Sequence, residues 1–203
     1  EREETDIRFI YTEKVKEDTH GGRLEFSDLN AKINNLGNVS IENKTSINIE
    51  GVFMENTPLK VNWSFNVKDL NDEFIFKADI GNLSANHMNQ FTEPNLNVKL
   101  NGEVKHTFFT INGNDHIAHI DLKLKYDDFK IDVLRQHGKE KNKFLSAVIN
   151  LFVSSDSKDK TDDFRYGHAK DVERDKTKSV FNYLWLNIKA GLLNAMIGDG
   201  KKK

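Results

Sequence analysis

Residues 59–68 read LKVNWSFNVK, in which every second side chain is apolar and the side chains between them are polar or charged. Because successive side chains of a β-strand point to opposite faces, this alternation predicts a strand with one apolar face. The same pattern recurs along the chain, so one rule predicts most of the fold. The positions that repeat it are Phe74, Phe76, Ala78 and Ile80; Leu96, Val98, Leu100 and Val104; Ile120, Leu122, Leu124 and Tyr126; and Phe129, Ile131 and Val133.

Weaker alternation covers residues 7–11, 24–33 and 47–53, and its phase changes near Ser27, which predicts a β-bulge. Turn-forming residues separate the strands, with predicted turns at 55–58, 71–72, 112–115 and 127–128. Such short links favour a meander of about eight or nine antiparallel strands, interrupted by one helical excursion over residues 84–91.

After Val133 the apolar period becomes helical. In residues 141–153 the apolar side chains share one side of a helical wheel, which predicts an amphipathic helix, and the polar residues 154–163 predict a mobile loop. A second helix is predicted over residues 176–197. Beside its broad apolar stripe runs a narrower apolar line, so either both sides of the helix are covered or this line contacts a partner or lipid. This line consists of Leu186, Leu193 and Ile197.

The predicted fold class is therefore mainly β with α. It is a single antiparallel, strongly curled meander sheet, shaped as a half-barrel or groove, plus two amphipathic C-terminal helices. Residues 1–137 are expected to form the curled sheet with an apolar concave face. Residues 138–203 are expected to supply the C-terminal helices and the polar loop that complete the same domain.

Composition excludes several classes of function. The formal net charge is −2, so the chain lacks the positive field that gathers nucleic acid. Cysteine is absent, which excludes disulfides, thiol catalysis and cysteine zinc sites. No apolar run reaches the roughly 18 residues of a membrane span, and the sequence begins with Glu1, so we expect any leader or anchor to precede that residue.

Residues that suggest catalysis or metal binding have simpler explanations. His116 and His119 are three residues apart, a spacing that sends side chains to opposite faces of a strand, and His119 with Asp121 is typical of a surface pair. The acidic pairs at 127–128 and 162–163 fall in predicted turns. No phosphate-binding loop, dinucleotide-binding glycine pattern or nucleophile elbow is present. We therefore expect no enzyme activity, no metal and no cofactor.

Two sequence segments carry a resemblance. Residues 26–36, FSDLNAKINNL, and residues 57–61, TPLKV, resemble the C-terminal region of AsmA-like, TamB-related proteins of the Bacteroidetes type. The order of later segments is similar too, so the resemblance extends from Leu24 over most of the chain. These segments are Ile80-Gly81-Asn82-Leu83, Thr92-Glu93-Pro94, a strand containing Gly102, a helix ending near Asn150, Glu173-Arg174-Asp175, and KSVFNYLW at 178–185 followed by Gly191.

The resemblance implies a periplasmic protein held in the inner membrane by a helix that precedes Glu1. AsmA-like proteins form long curled β-sheets with a hydrophobic groove, are associated with phospholipid transport to the outer membrane and with envelope integrity, and have no catalytic residues. Here it implies phospholipid transfer and outer-membrane biogenesis, with phospholipid or fatty acyl chains and other envelope proteins as partners. The alternative is an envelope interaction or assembly module whose apolar face is fully packed and carries no lipid.

The candidate lipid-contacting residues are the inward positions of the predicted strands. An acyl chain gains roughly 0.8 kcal/mol for each CH₂ that leaves water for such a surface. The candidates are Val61, Trp63, Phe65, Phe74, Phe76, Ile80, Leu96, Val98, Leu100, Leu122, Leu124, Tyr126, Phe129, Ile131 and Val133.

Overall fold

The structure, a computed structural model, describes residues 7–15, 20–37, 44–134 and 164–197. These residues form β-strands, one 3-10 helix and two α-helices. The strands are β1 Phe9–Glu13, β2 Gly22–Asn34, β3 Thr45–Phe53, β4 Thr57–Phe65, β5 Phe74–Ile80, β6 Leu83–Ser84, β7 Val98–Gly113, β8 Ile117–Val133 and β9 Arg165–Glu173. The 3-10 helix is Ala85–Met88, and the α-helices are α1 Asn89–Leu96 and α2 Val180–Ile197.

All of these strands belong to one sheet, and every pair of neighbours is antiparallel. The order is β1-β2-β3-β4-β5-β7-β8-β9, and the short β6 pairs with β7 beside that path. Apart from the short β6, strands that follow one another in the chain are therefore neighbours in the sheet. The predicted antiparallel meander is confirmed.

Strand β4 shows why the alternating pattern forms a strand and where the strand stops. Its inward side chains pair across to β5 in register, with Trp63 opposite Phe76. The sequence predicted that β4 extends to residue 68, but the strand ends at Phe65. The Asn66 side chain accepts a hydrogen bond from the Lys68 amide at 3.0 Å, and this local turn replaces the ladder.

The bulge predicted near Ser27 is confirmed. The register between β2 and β3 shifts between Ser27 and Asn30, and Asp28 takes a left-handed conformation with φ of 49°. Aspartate tolerates this conformation better than most residues. The shift lets apolar side chains on both sides of the bulge face the same way.

The turn predicted at 127–128 is wrong. Asp127 and Asp128 lie inside β8, which continues to Val133, and the segment expected to be a separate strand belongs to it. A second bulge explains the error, because Asp128 has φ of 48° and the register with β7 shifts beside Gly102, whose φ is 95°. Aspartate favours both turns and bulges because its side chain hydrogen-bonds to nearby backbone and because it tolerates the left-handed conformation.

The helical excursion is present but longer than predicted. The 3-10 helix and α1 together occupy Ala85 to Leu96, so Leu96 ends a helix and does not open the next strand. Asn97 ends α1 by adopting φ of 60°, and its amide donates to the Glu93 carbonyl. Leu96 is nevertheless buried, with 7% of its surface exposed.

Two differences affect the C-terminal part. Strand β9 was not predicted, and α2 begins at Val180 and not at residue 176. Before α2, the Asp175 carboxylate accepts a hydrogen bond from the Thr177 amide at 2.9 Å, which holds these residues in a turn. The helix predicted at 141–153, the loop at 154–163 and the boundary between residues 137 and 138 lie outside the described residues.

Candidate functional site: an apolar face of the sheet

One face of the sheet packs against α1 and α2, and we call it the inner face. Strand register aligns its side chains in rows that run across the sheet. One row is Ile33, Ile47, Trp63, Phe76, Ile111, Ile120 and Ala169, and the next is Ala31, Ile49, Val61, Ala78, Phe109, Leu122 and Gly167. The predicted single apolar face is thus a continuous surface across β2–β9.

Helix α2 covers the part of the inner face formed by β7, β8 and β9, which we call the covered section. Ile111 and Ile120 are at most 1% exposed there. A side chain at Gly191 would touch Ile120 and Leu122, so the helix backbone lies directly on these residues. This section is an ordinary hydrophobic core.

The inner face over β2–β5 is less covered, and we call it the open section. Ile33 is 50% exposed, and the remaining side chains are half-buried. Their rings form a chain of aromatic contacts, with the Trp63 centroid 5.8 Å from Phe65 and 5.9 Å from Phe76. The members of the open section are Ile33, Ile47, Ile49, Val61, Trp63, Phe65, Phe74 and Phe76.

The candidate residues named from the sequence differ in how far they are buried. The half-buried ones are Val61, Trp63, Phe65, Phe74, Phe76, Ile80, Leu100 and Ile131. The buried ones are Leu96, Val98, Leu122, Leu124, Tyr126 and Phe129, and Val133 is 37% exposed. The structure therefore places part of the predicted set in the core and leaves the rest partly accessible.

Both helices connect distant strands across the inner face. At the start of α2, the Phe181 ring lies 5.2 Å from Phe9 and 6.1 Å from Tyr11, both in β1. The Asn182 amide also donates to the Glu13 carboxylate at 2.9 Å. On α1, the Asn95 side chain accepts from the Gly22 amide of β2 at 3.4 Å.

Several buried polar atoms on this face have no hydrogen-bond partner within the described residues. Asn187 is fully buried, and although its Nδ2 donates to the Tyr183 carbonyl at 3.0 Å, its Oδ1 accepts nothing. The Tyr183 hydroxyl and the Trp63 Nε1 also lack partners. Burial raises the pKa of Tyr183 to about 12, so its hydroxyl is protonated at neutral pH. An unpaired buried polar group costs about 1–3 kcal/mol.

The sequence patterns did not single out these residues. Tyr183, Asn187 and Gly191 are four residues apart and share one side of α2. One signal was present, because Asn187 and Asn194, seven residues apart, place two amides on the side of that helix that also carries Tyr183 and Gly191. On β7, Phe109 and Ile111 also alternate with polar or outward residues, and they form the centre of the covered section.

The second apolar line predicted on α2 is not fully solvent-facing where the structure describes it. Leu186 and Leu193 are both half-buried. The side chain of Ile197 lies outside the described residues.

A depression of about 330 Å³ lies at the end of the open section, beside the turn between β4 and β5. Phe65, Phe74, Ile75 and Ile117 supply its apolar lining, and Lys44, Glu73 and His119 are among its polar lining residues. A second depression of about 340 Å³ lies beside the β2 bulge and is lined by Arg8, Glu25, Ser27, Asp28, Met54 and Glu55. In the first depression, the lining residues Ser64, Ile75, Asn112 and His119 form one row on the outward face, so this depression lies mainly on the opposite side of the sheet from the open section.

The histidines and acidic residues considered for catalysis are dispersed in pairs. The Asp121 carboxylate lies 2.6 Å from His168 Nδ1, and His119 lies 4.0 Å from Asp171, so each partner comes from the neighbouring strand. His116 lies in the turn before β8. Within the described ranges, no group of three or more histidine and acidic side chains is arranged to hold a metal ion.

The part of the chain that the structure describes has no helix whose length and hydropathy would allow it to cross a lipid bilayer. Comparison with family models, with curated proteins and with solved structures gives no match.

Proposed function

We propose that this chain is a non-catalytic, AsmA-like domain of the bacterial periplasm that takes part in phospholipid transfer between the inner and outer membranes. In this proposal an inner-membrane anchor precedes the chain, and the open section of the inner face receives the acyl chains. The observation that carries the proposal is the open section itself, a row-ordered apolar surface that the helices leave partly uncovered.

The proposal includes a strongly curled sheet, and the contacts of α2 support that shape. Phe181 contacts β1, whereas Tyr183, two residues later, contacts Phe74 of β5 at 6.1 Å. Side chains two residues apart point to nearly opposite sides of a helix. A helix with strands on opposite sides is expected inside a concave sheet, because a flat sheet would lie along one side only.

The hydrophobic effect would stabilise acyl chains on this surface. Each CH₂ that leaves water for an apolar surface contributes about 0.8 kcal/mol, so a chain in contact with several rows would be held reversibly. The aromatic rings of Trp63, Phe65 and Phe76 offer broad, rigid contact area. Headgroups would stay in the polar surroundings at the end of the sheet.

The second candidate function is an envelope interaction or assembly module without lipid cargo. The observation that favours it is the burial of Leu122, Leu124, Tyr126 and Phe129 in the covered section, where a packed core already accounts for the apolar pattern. The two functions differ in whether the open section binds acyl chains.

Titration with a fluorescent fatty acid tests the proposal. In the variant Ile47→Glu a charge enters the open section, and we expect affinity for the probe to fall at least tenfold because the acyl chain would meet a carboxylate. Asn48→Glu is the matched control, since the neighbouring residue lies on the opposite, exposed face and should leave affinity unchanged.

Thermal melting of both variants checks that each remains folded. The proposal is wrong if the unaltered protein carries no extractable phospholipid and does not bind the probe, and the interaction module then becomes the better explanation. Equal affinities for both glutamate variants would place any bound probe somewhere other than the open section.

A further inference from the structure

Two features distinguish helix α2 from an ordinary core helix, namely polar atoms buried on its sheet side and different kinds of contact at its two ends. On its sheet side, the Tyr183 hydroxyl and the Asn187 Oδ1 have no hydrogen-bond partner among the described residues, and the two residues are 1% and 0% exposed. Because buried polar groups are nearly always paired, these atoms disfavour the closed position of the helix. Lifting the helix would let both atoms bind water or a polar group of an amphiphile.

The two ends of α2 are held differently. Near its C-terminal end, the Ala195 carbonyl accepts from Arg165 Nε at 3.1 Å, and Asn194 accepts from the His168 amide at 2.8 Å. Gly167 and Gly191 approach so closely that a Cβ on Gly167 would collide with the Gly191 carbonyl oxygen. This end is fixed to β9 by two hydrogen bonds, each between a side chain and the backbone, and by the close approach of the two glycine backbones.

The N-terminal end is held by side chains, of which Tyr183 and Leu184 are buried in the core, whereas Phe181 and Asn182 reach β1. Phe181 rests on β1 but remains 41% exposed, and the Asn182 amide reaches the Glu13 carboxylate. Burial lowers the pKa of Lys189, and the nearby Glu13 carboxylate acts in the opposite direction. The hydrogen bond from Asn182 is partly buried, but its acceptor belongs to β1, a five-residue strand at the end of the sheet order.

From these contacts we propose that α2 is a lid over the inner face, which pivots about its contact with β9 and is latched by β1. This inference rests on the proposed function and deepens it. Opening would extend the open section into the covered section, where Phe109 and Ile111 would become available to an acyl chain. Closure would return the Tyr183 and Asn187 side chains to the interior.

A reversible cross-link tests the lid. The chain has no cysteine, so Glu13→Cys with Asn182→Cys places the only thiols at the latch. A short bis-thiosulfonate reagent joins them, and dithiothreitol releases them. We expect the cross-linked variant to take up a fluorescent fatty acid at least tenfold more slowly in stopped flow than the same variant before cross-linking. Reduction with dithiothreitol should restore the rate that this variant had before cross-linking.

The matched control is a cross-link that leaves α2 free. Glu50→Cys with Lys60→Cys joins the cross-strand neighbours β3 and β4 on the outward face, and this cross-link should not alter uptake. If the latch cross-link leaves uptake at the unmodified rate, the lid is refuted while acyl binding stands. If even the unmodified protein binds no probe, the proposed function and the lid fail together.

A second variant addresses the unpaired atoms directly. Asn187→Leu removes the unpaired oxygen, so we expect a melting temperature about 2–4 °C higher and slower uptake, because the closed state gains stability. Tyr183→Phe deletes only the hydroxyl and should show the same pair of changes with less disturbance of packing. A stabilised variant whose uptake is unchanged would contradict the inference.

Discussion

At the scale of single residues, Asp115 connects three loops at one end of the sheet. Its carboxylate pairs with Arg174 and with Lys176 of the segment before α2. Its amide donates to the Asn71 carbonyl at 3.2 Å, and the Arg174 amide donates to the His116 carbonyl at 2.8 Å. One aspartate thereby connects the turn between β4 and β5, the turn between β7 and β8, and the segment that leads into α2.

These contacts predict a pH-dependent contribution to stability. The hydrogen bond from Lys176, followed by the charges of Lys176 and Arg174, lowers the pKa of Asp115 below its ordinary 3.8. The charged carboxylate therefore stabilises the fold above pH 3.8, and this contribution is lost as the pH falls through the lowered folded-state value. Asp115→Asn should lower the melting temperature at pH 7, and the difference from the unaltered protein should shrink in acid.

The control for this experiment is Glu73→Gln, which removes an exposed carboxylate at the same end of the sheet. Its melting temperature should follow that of the unaltered protein at both pH values. A difference for Asp115→Asn that stays constant from pH 7 to pH 3 would show that the lost charge is not the cause.

At the scale of elements, the sequence predicted strands well where their inward residues are large. β4, β5 and the first half of β8 have aromatic or branched side chains at alternate positions, and each was identified from that alternation. β9 was missed for a physical reason. Its inward residues opposite Leu122 and Ile120 are Gly167 and Ala169, so the strand lacks the apolar contrast that the pattern requires.

The small residues of β9 make room for α2, and this predicts the effect of enlarging one of them. In Gly167→Ala the added methyl would meet the carbonyl oxygen of Gly191, so the helix must move away from the sheet. We expect unfolding in urea to show a loss of about 1–3 kcal/mol.

Gly37→Ala is the comparison for that measurement, since no atom of the described residues lies within 4 Å of the position where its Cβ would be. This substitution should change the free energy of unfolding by no more than about 0.5 kcal/mol. If the two alanine variants were equally stable, α2 would not depend on the close approach of Gly167 and Gly191.

At the scale of the whole molecule, period and turn chemistry predicted one antiparallel meander with a single apolar face. They could not predict which part of that face the helices cover. The contact of Phe181 with Phe9 joins residues near opposite ends of the chain, and no local pattern encodes such a pair. The unpaired Trp63 Nε1 and Asn187 Oδ1 are likewise consequences of packing and not of periodicity.

Which apolar residues an acyl chain meets is the central question at this scale, and a spin-labelled stearic acid answers it directly. In a nuclear magnetic resonance titration, we predict broadening of the Ile33 and Ile47 methyl signals and of the Trp63 indole signal, all from the open section. Ile10 is 40% exposed on the opposite face and should remain sharp. Broadening of Ile10 equal to that of Ile47, or no broadening at any of these signals, would contradict the account.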